Sequence, residues 1–212
     1  METLFKSRQT ILELLEDRGY PNVSSKKMNL GSFKKWAKEV CGKEDFQRTN
    51  KEYNIVKEEM TFTEEGPNGL ILVTWHSPPK LGSQDFTNLV ARLRGIGVKM
   101  AIVIVEDSLT HCAKSTSKSL KQDGTRIEIF TTEETQYNVS HHHLVPLHQV
   151  CTREEKTLLM KSYAVSASQL PNIKITDPMA RYLGVTKGQL VKITRDSDTM
   201  PGQKTISYRS VI

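Results

Sequence analysis

The chain is 212 residues long, with 37% apolar and 25% charged residues. This length suits one large domain or two small ones, and the composition permits a folded core. No run of about 18 apolar residues occurs, so the sequence predicts no membrane-spanning segment. Met1–Lys6 also lacks the basic-then-apolar pattern of a signal peptide. We therefore expect a globular protein without a membrane partner.

Three cysteines, Cys41, Cys112 and Cys151, are far apart in the chain and odd in number. Disulfides persist in oxidising compartments and are rare in the cytosol and the nucleus. This cysteine pattern predicts reduced thiols in a cytosolic or nuclear protein.

The net charge of +6 is carried mainly by the last third of the chain. Residues 1–140 contain 20 basic and 19 acidic side chains, a difference of +1, whereas residues 141–212 contain 10 and 5, a difference of +5. A mildly basic region is typical of a surface that meets nucleic acid or acidic protein, and also of a plain solvated surface. The excess is too small to predict tight DNA binding by this chain alone.

Two amphipathic helices are predicted near the amino terminus. The first has leucine and isoleucine on one face between residues 4 and 15, and Gly19 ends it. The second follows Ser32 and stops at Gly42. Its apolar residues have the i, i+3, i+4, i+7 spacing of a helix that packs on a core, and they are Phe33, Trp36, Ala37 and Val40.

Strands and a helix then alternate. Residues 43–69 are polar and leave their structure open, with a turn predicted over Glu64–Gly69. Strands are predicted at Leu70–Trp75, Met100–Val105 and Arg126–Phe130 because these runs are apolar or alternate with period two. The helix predicted between the first two strands has the apolar residues Phe86, Leu89, Val90 and Leu93. Strand, helix and strand predict a parallel crossover in an α/β domain.

A domain boundary is predicted near residue 138. Thr131–Tyr137 is polar and acidic and is a candidate linker. The predicted domains are therefore residues 1–137 and 138–212. The first is an α/β domain with a central sheet, and the second is a smaller α+β domain.

The second domain contains clear helix signals. Thr152 and Glu155 match a capping box, in which each side chain bonds the other residue's backbone amide. Asp177 can cap a second, short helix, which Gly184 ends. Two strands are expected at Gln189–Arg195 and Thr205–Val211.

Four histidines suggest a metal site at first sight. His141, His142 and His143 are adjacent and His148 follows. Adjacent side chains on a strand point to opposite faces, so three in a row cannot all meet one ion. No cysteine or carboxylate joins them at zinc spacing. The sequence therefore favours polar contacts at the start of the second domain, and no cofactor or metal is predicted.

A nuclease is another reading of the α/β domain, because a central sheet can hold Mg²⁺ between carboxylates with a lysine nearby. Glu106 and Asp107 end a predicted strand, but no lysine follows two residues later. The only Glu-x-Lys string, Glu154-Glu155-Lys156, starts a helix in the other domain. The pattern does not favour this chemistry.

A basic, hydroxyl-rich stretch follows the strand that ends at Val105. Lys114, Lys118 and Lys121 recur near one face of a helix or loop, with Thr110 and several serines nearby. Positive charge and hydroxyl donors on an exposed element suffice for phosphate contacts. A solvated lysine face is the alternative.

Two ordered strings in the second domain resemble one known family. The first includes Asn138, Ser140, His141, Leu144, Val145, Pro146 and His148. The second consists of Gln169-Leu170-Pro171, Asp177-Pro178, Ala180-Arg181-Tyr182, Gly184, Gly188 and Val191-Lys192-Ile193. Both are similar to the carboxy-terminal domain of the common fifth subunit of eukaryotic nuclear RNA polymerases, a domain that has a counterpart among the archaeal polymerase subunits. The similarity runs from Asn138 to Arg195 and returns at Tyr208-Arg209.

The amino-terminal domain resembles the family less closely, and the chain is similar to a divergent member. Asp17–Tyr20 and the strand pattern match. The family has Val-Gly-Val-Lys before the crossover helix, where this chain has Leu81-Gly82-Ser83-Gln84. A family loop with Thr-Pro-x-Ala is matched by Thr110 and Ala113, but His111 replaces the proline.

The resemblance implies a role for each domain. The carboxy-terminal domain would dock on the largest polymerase subunit and neighbouring subunits, through His141, Leu144, Pro146, His148, Leu170, Pro171, Arg181, Tyr182, Lys192, Arg195, Tyr208 and Arg209. The amino-terminal domain would form part of the jaw near downstream double-stranded DNA. Weak, non-specific contacts would be made there by Thr110, His111, Lys114 and Lys118.

The expected function is that of a non-catalytic, structural subunit of DNA-directed RNA polymerase in the nucleus. The resemblance implies that the catalytic Mg²⁺ and its carboxylates belong to other chains. The alternative is a free-standing DNA-binding or transcription-regulatory adaptor that carries the same carboxy-terminal module.

Overall fold

The structure is a computed structural model, and it describes residues 1–42, 50–67, 69–77, 82–107, 125–197 and 202–212. The chain divides into two compact units, Met1–Tyr137 and Asn138–Ile212, called here the amino-terminal unit and the carboxy-terminal unit. Each contains helices and a four-stranded sheet, which confirms the predicted mixture of α and β structure in two domains. Within these ranges no helix is long and apolar enough to cross a membrane.

Helix α1 spans Glu2–Asp17, as the leucine and isoleucine pattern predicts. The predicted apolar face is buried at Leu4, Ile11, Leu12 and Leu15. The chain leaves the helix at Arg18 and turns at Gly19, whose φ of 86° is a left-handed conformation that favours glycine. A 3₁₀ helix, Pro21–Lys26, follows.

Helix α2 spans Leu30–Cys41 and so begins before the predicted start at Ser32. The reason is the cap: the Asn29 side-chain oxygen accepts a hydrogen bond from the Ser32 amide at 2.7 Å. An asparagine cap satisfies an amide that the first helical turn leaves without a partner. The predicted end at Gly42 is confirmed, since this residue has φ of 65°.

The stretch that the sequence leaves open contains regular structure. Helix α3 spans Asn50–Glu59, and strand β1 spans Phe62–Gly66. The turn predicted over residues 64–69 is therefore too long, because β1 pairs antiparallel with the next strand through Gly66. Glu64 is buried in this strand and forms an ion pair with Lys26. The buried Glu64 carboxylate is thus paired with a lysine from another part of the chain.

The remaining strands of this sheet confirm the predicted α/β pattern. They are β2 (Gly69–Trp75), β3 (Met100–Val105) and β4 (Arg126–Thr131). The sheet order is β1-β2-β3-β4, and β2, β3 and β4 are parallel. Helix α4, Ser83–Ile96, connects β2 to β3.

Helix α4 covers one face of this sheet. Its Phe86 and Val90 form a buried cluster with Val103 and Val105 of β3. On the other face, the Trp75 indole N–H donates to Ser7 Oγ of α1 at 3.0 Å. Helices from two parts of the chain therefore enclose the middle of the sheet.

The candidate linker at residues 131–137 lies in the amino-terminal unit, as the predicted domains of residues 1–137 and 138–212 have it, and it packs on α1. Thr135 is 1% exposed, and its hydroxyl donates to Ser7 Oγ at 2.8 Å. The Gln136 side-chain amide donates to the backbone carbonyls of Thr132 at 2.8 Å and Thr3 at 3.3 Å. A polar segment looks like a linker in sequence, but here its polar groups bond to α1.

The Asp17–Tyr20 string fastens α1 to the sheet. Arg18 forms an ion pair with Glu128 of β4 at 2.7 Å, and Arg126 reaches the same carboxylate at 2.7 Å. Tyr20 is 1% exposed, and its hydroxyl donates to the Met100 sulfur at 3.5 Å. Burial raises the pKa of the Tyr20 phenol.

The carboxy-terminal unit is built on a second sheet. Its strands are β5 (Leu147–Val150), β6 (Asn172–Ile173), β7 (Leu190–Asp196) and β8 (Lys204–Val211), and their order is β5-β7-β8-β6. Two of these are the predicted strands, each within about a residue. One face of the sheet carries the buried core of the unit, formed by Ile173, Ala180, Val185, Val191, Ile193 and Val211.

Both predicted helices of this unit are present. Helix α5 spans Arg153–Tyr163, and its Thr152–Glu155 capping box is complete, with bonds of 3.1 and 2.8 Å. Helix α6 spans Pro178–Leu183, and the Asp177 side chain accepts from the Met179 amide at 2.9 Å. Short 3₁₀ helices lie at residues 139–141 and 167–169.

Replacement of Gly66 by alanine should destabilise the protein. A methyl group at this position would overlap the buried ring of Tyr20. Overpacking of this kind costs about 1–3 kcal/mol, so we expect a lower midpoint of thermal unfolding, measured by circular dichroism.

Gly95→Ala is the matched control, because a methyl group at Gly95 in α4 meets no atom within 4 Å. There the change should raise stability by about 0.5–1 kcal/mol, since alanine favours helix. Equal midpoints for Gly66→Ala and the wild type would contradict the close contact between Gly66 and Tyr20.

The Asp177 cap should contribute measurably to stability. Asp177→Ala removes the acceptor for the Met179 amide, and the loss of such a cap costs about 0.5–2 kcal/mol. We expect a lower urea midpoint for Asp177→Ala and a smaller change for Asp177→Asn, which keeps a capping oxygen. Equal losses for the two variants would show that the charge, and not the hydrogen bond, stabilises α6.

Candidate subunit and nucleic-acid interfaces

The nucleic-acid candidates Thr110, His111, Lys114 and Lys118 lie outside the described residues, which stop at residue 107 and resume at 125. The helix or loop predicted around these residues also lies outside the described residues. The structure does show where this segment starts and ends: it leaves the carboxyl end of β3 and returns to β4.

Glu106, at the carboxyl end of β3, forms an ion pair with Lys57 of α3. The Lys57 ammonium of α3 lies 2.5 Å from Glu106 Oε1 and 3.4 Å from the His76 carbonyl oxygen. The Lys57 side chain is 3% exposed, while that of Glu106 is 39% exposed. The Tyr53 ring lies 5.1 Å from the same ammonium. Removal of the carboxylate would therefore leave a buried cation without its anionic partner.

Sequence reasoning missed Lys57, because it looked for a lysine two residues beyond Glu106. The tertiary fold supplies one from 49 positions earlier in the chain. In the part of the chain that the structure describes, no three histidine, cysteine or carboxylate side chains are placed to hold a metal ion. The geometry therefore gives Lys57 and Glu106 the role of an ion pair that joins α3 to the sheet.

The carboxy-terminal unit opens with a turn that Asn138 organises. Its side-chain oxygen accepts from the Ser140 amide at 2.9 Å and from the Ser140 hydroxyl at 2.7 Å. Its side-chain nitrogen donates to the Tyr182 hydroxyl at 3.0 Å. In sequence Asn138 is only one member of a family string, and the structure gives the physical reason for an asparagine there.

Tyr182 is a core residue. It is 5% exposed, and its hydroxyl is bonded to Asn138. A side chain held in this way joins α6 to the start of the unit and offers little area to another protein. We therefore remove Tyr182 from the candidate docking surface and assign it to the fold.

The other candidates near the start of the unit are more exposed. Leu144 is 75% exposed and His141 is exposed in its 3₁₀ turn. His148 is half-buried, and its Nδ1–H donates to the Pro146 carbonyl oxygen at 2.7 Å. The rings of His142 and His143 stack with centroids 4.7 Å apart.

The remaining candidates lie on three parts of the unit. Leu170 is half-buried and Pro171 is exposed, and the Pro171 carbonyl oxygen accepts from the Ser210 amide at 2.8 Å. Arg181 is half-buried on α6. The sheet carries the others, which are Lys192, Arg195, Tyr208 and Arg209.

The sheet separates these last four residues into two groups. Lys192 pairs directly with Tyr208, whereas Val191 pairs with Arg209. Directly paired residues project to the same face, and successive residues alternate. Lys192 and Tyr208 therefore lie on one face, and Arg195 and Arg209 lie on the face that carries Val191.

Two further residues of the Lys192 face were missed in sequence. Leu147 is 58% exposed and Ile206 is 48% exposed, although both lie within strands. Leu147 pairs with Thr194, and Thr194 pairs with Ile206. Each is an ordinary apolar strand residue in sequence, so only the pairing reveals that they lie on the same face of the sheet, on either side of Thr194.

The described cysteines are thiols and are not joined in a disulfide. Cys41 and Cys151 are both half-buried. Burial, and to a smaller extent the Glu155 carboxylate, raises the pKa of the Cys151 thiol above its ordinary value. The thiol is therefore protonated near neutral pH and is a poor nucleophile.

Comparison with known proteins agrees with this two-part construction. Residues 1–93 match the family model described as RNA polymerase Rpb5, N-terminal domain, and residues 137–211 match RNA polymerase Rpb5, C-terminal domain. Two family models that belong together thus match in order along one chain.

Relatives align with almost the whole chain. A protein of Dictyostelium discoideum named DNA-directed RNA polymerases I, II, and III subunit rpabc1 is 31% identical, over 97% of this chain and 95% of its own length. DNA-directed RNA polymerase subunit 5-like protein 1 of Arabidopsis thaliana is 35% identical, over 92% and 90%. Subunit RPABC1 of Caenorhabditis elegans is 29% identical, over 99% and 95%.

The fold and these similarities define a two-domain protein of the transcription machinery. The chain belongs to the RNA polymerase Rpb5 family. The resemblance stated from the sequence is thereby confirmed, and the free-standing adaptor is not favoured.

Proposed function

We propose that this chain is a non-catalytic, structural subunit of DNA-directed RNA polymerase and acts in the nucleus. The observation that carries the proposal is the extent of similarity: both Rpb5 domains match, and a relative named as a shared polymerase subunit aligns over 97% of this chain. A protein that had borrowed only the carboxy-terminal module would match in that module alone.

The carboxy-terminal unit is proposed to dock on the largest polymerase subunit and its neighbours. Support comes from the density of family-like residues between Asn138 and Arg195 and from the exposure of several of them, including Leu144 at 75%. Charge gives further support, since residues 141–212 carry 10 basic and 5 acidic side chains. Such a surface suits an acidic partner.

Two of the five acidic side chains of residues 141–212 have structural roles. Glu155 accepts from the Thr152 amide, and Asp177 accepts from the Met179 amide. The proposed docking set leaves out the buried Tyr182. It consists of His141, Leu144, Pro146, His148, Leu170, Pro171, Arg181, Lys192, Arg195, Tyr208 and Arg209.

The amino-terminal unit is proposed to form part of the jaw that holds downstream duplex DNA. Thr110, His111, Lys114 and Lys118 would contact phosphates, which position a duplex without reading its sequence. Four side chains give little affinity alone, so we expect weak, non-specific binding that depends on the rest of the polymerase.

Affinity purification from the native cells tests the polymerase assignment. A tag on the full chain should recover the polymerase subunits, with this chain at one copy per enzyme, as quantified by mass spectrometry of the gel-filtered complex. Recovery of the chain as a free protein, with other polymerase subunits absent, would instead support the regulatory adaptor.

The lysines proposed for DNA contact should affect the salt dependence of elongation complexes. Each phosphate contact that is lost lowers the log–log salt slope by about 0.9. Lys114→Ala with Lys118→Ala should therefore flatten the slope by about 2 if both lysines meet phosphates. The measurement is the lifetime of purified elongation complexes on downstream duplex across a series of salt concentrations.

Lys35→Ala with Lys38→Ala is the matched control, because it removes the same charge from exposed positions of α2. The control enzyme should behave as the wild type. Superimposable curves for the Lys114 and Lys118 variant and the wild type would show that these lysines form only a solvated surface.

A further inference from the structure

A small pocket lies on α1, beside the residues that lead from the first 3₁₀ helix into α2. Its volume is about 40 Å³, and it opens to solvent. Four of its lining residues have the i, i+3, i+4, i+7 spacing of one helix face, so α1 forms most of its wall. The lining, called the α1 pocket here, consists of Phe5, Arg8, Gln9, Leu12, Lys27 and Met28.

Arg8 has a donor in this pocket that the fold does not use. Its Nη1 donates to the Lys26 backbone carbonyl at 2.8 Å. Its Nε–H is buried, and within the described residues it has no hydrogen-bond acceptor. Burial lowers the pKa of the Arg8 guanidinium, yet arginine stays protonated near neutral pH. A buried donor without an acceptor is unfavourable, so an acceptor that entered the pocket beside the guanidinium would be bound favourably.

The charge of the pocket favours an anion. Among the residues that the structure describes, two cations line it, and one of them has a carboxylate partner. Lys27 forms an ion pair with Glu16 of α1, whereas Arg8 forms none with the described carboxylates. The positive charge of Arg8 is therefore left to attract an anion from outside.

The size of the pocket suits a carboxylate group. A water molecule needs about 10–15 Å³ of such a cavity, so the pocket has room for about three atoms of that size. A carboxylate has three heavy atoms, whereas a phosphate group has five. The two carboxylate oxygens also match the guanidinium, which can donate two parallel hydrogen bonds to them.

The rest of the lining favours a peptide over a free carboxylate ion. Phe5 and Met28 are half-buried, and Leu12 is 1% exposed. An apolar side chain beside the bound carboxylate would cover this apolar area. The Gln9 side-chain nitrogen donates to Glu13 at 3.3 Å, which leaves the side-chain oxygen of Gln9 as an acceptor for a peptide N–H.

We propose that the α1 pocket binds a linear acidic peptide segment of another protein, by taking one aspartate or glutamate side chain whose neighbour in the peptide is apolar. The carboxylate would accept from the Arg8 guanidinium, and the apolar neighbour would pack on Phe5 and Met28. No residue of the pocket belongs to the docking set or to the DNA-contact set above. The inference therefore goes beyond the proposed function and does not depend on it.

A nucleic acid fits this pocket less well. Its phosphates are larger than the space beside Arg8, and a phosphodiester carries no donor for the Gln9 oxygen. Its backbone would also leave the apolar part of the lining uncovered. Phosphate contacts need only exposed cations and donors, whereas this donor is buried.

The test uses the full chain and synthetic peptides with blocked ends. One library has glutamate at its centre with apolar residues varied on either side, and the matched library has glutamine there. Peptides retained by the immobilised chain are identified by mass spectrometry, and the affinity of the best is measured by fluorescence anisotropy. Its glutamate form should bind at least about tenfold more tightly than its glutamine form, as hydrogen bonds to a charged group would give.

Two substitutions of Arg8 show whether the guanidinium is responsible. Arg8→Met should abolish the preference for glutamate. Arg8→Lys keeps the charge but not the planar fork, so it should lose most of the preference. The Arg8 Nε–H resonance, assigned by its absence from the spectrum of Arg8→Lys, should shift when the glutamate peptide is added to the ¹⁵N-labelled wild type.

Circular dichroism and thermal unfolding check each variant, because Arg8 also bonds the Lys26 carbonyl. If the Arg8 variants are unfolded, Gln9→Glu supplies the test, since it adds a negative charge at an exposed position of the pocket. It should weaken binding of the glutamate peptide severalfold. Gln84→Glu is the matched control, because Gln84 of α4 is also exposed and donates to Asn88 at 3.3 Å. It should bind as the wild type does.

Several results would overturn the inference. They are the absence of any retained peptide with the tenfold preference, wild-type affinity in a folded Arg8→Met chain, and, when the Arg8 variants are unfolded, equal affinities of the Gln9→Glu and Gln84→Glu chains. An Arg8 Nε–H resonance that the peptide does not move would place the binding elsewhere. If sodium acetate or inorganic phosphate moves this resonance at the same concentration as the peptide, the pocket is a site for small anions and not for a peptide.

Discussion

The complete burial of β3 determines the arrangement of the amino-terminal unit. Ala101–Val105 are each no more than 1% exposed, so both faces of the sheet must be covered. Helix α4 covers one face through Phe86 and Val90, and α1 lies against the other, where Ser7 accepts from Trp75. With both faces occupied, the ends of the strands and their loops remain for contacts with other molecules.

The sheet of the carboxy-terminal unit is covered less completely. Its sheet buries one face against α6 and keeps much of the other accessible, including Leu147 and Ile206. A small unit with a single covered face has little core to stabilise it, so caps and buried polar bonds matter more. The Asp177 cap and the bond between Asn138 and Tyr182 add to the packing of Ala180 in holding α6 in place. An exposed face and a firmly held helix together suit a unit that assembles with other chains.

Local pattern was sufficient for most of the elements that are regular in sequence. The leucines of α1, the apolar run of β3, and the capping residues Thr152 and Asp177 each act within a few positions, and the structure confirms the elements they predict. Helix α2 begins earlier than the apolar pattern predicts, because Asn29 caps its first turn. Helix α3 and β1 could not be predicted, because their polar residues Lys57 and Glu64 are buried by ion pairs with distant partners.

The sequence by itself determined the family, the predicted helices and strands, and which residue types were available for docking. Only the tertiary structure decided which of them face outward. Tyr182 is buried and its hydroxyl is bonded to Asn138, whereas Leu147 and Ile206 are exposed on one face, on either side of Thr194. The physical reason is that strand pairing and burial depend on residues far apart in the chain. A period of two tells which side chains share a face of a strand, but not which face the rest of the chain will cover.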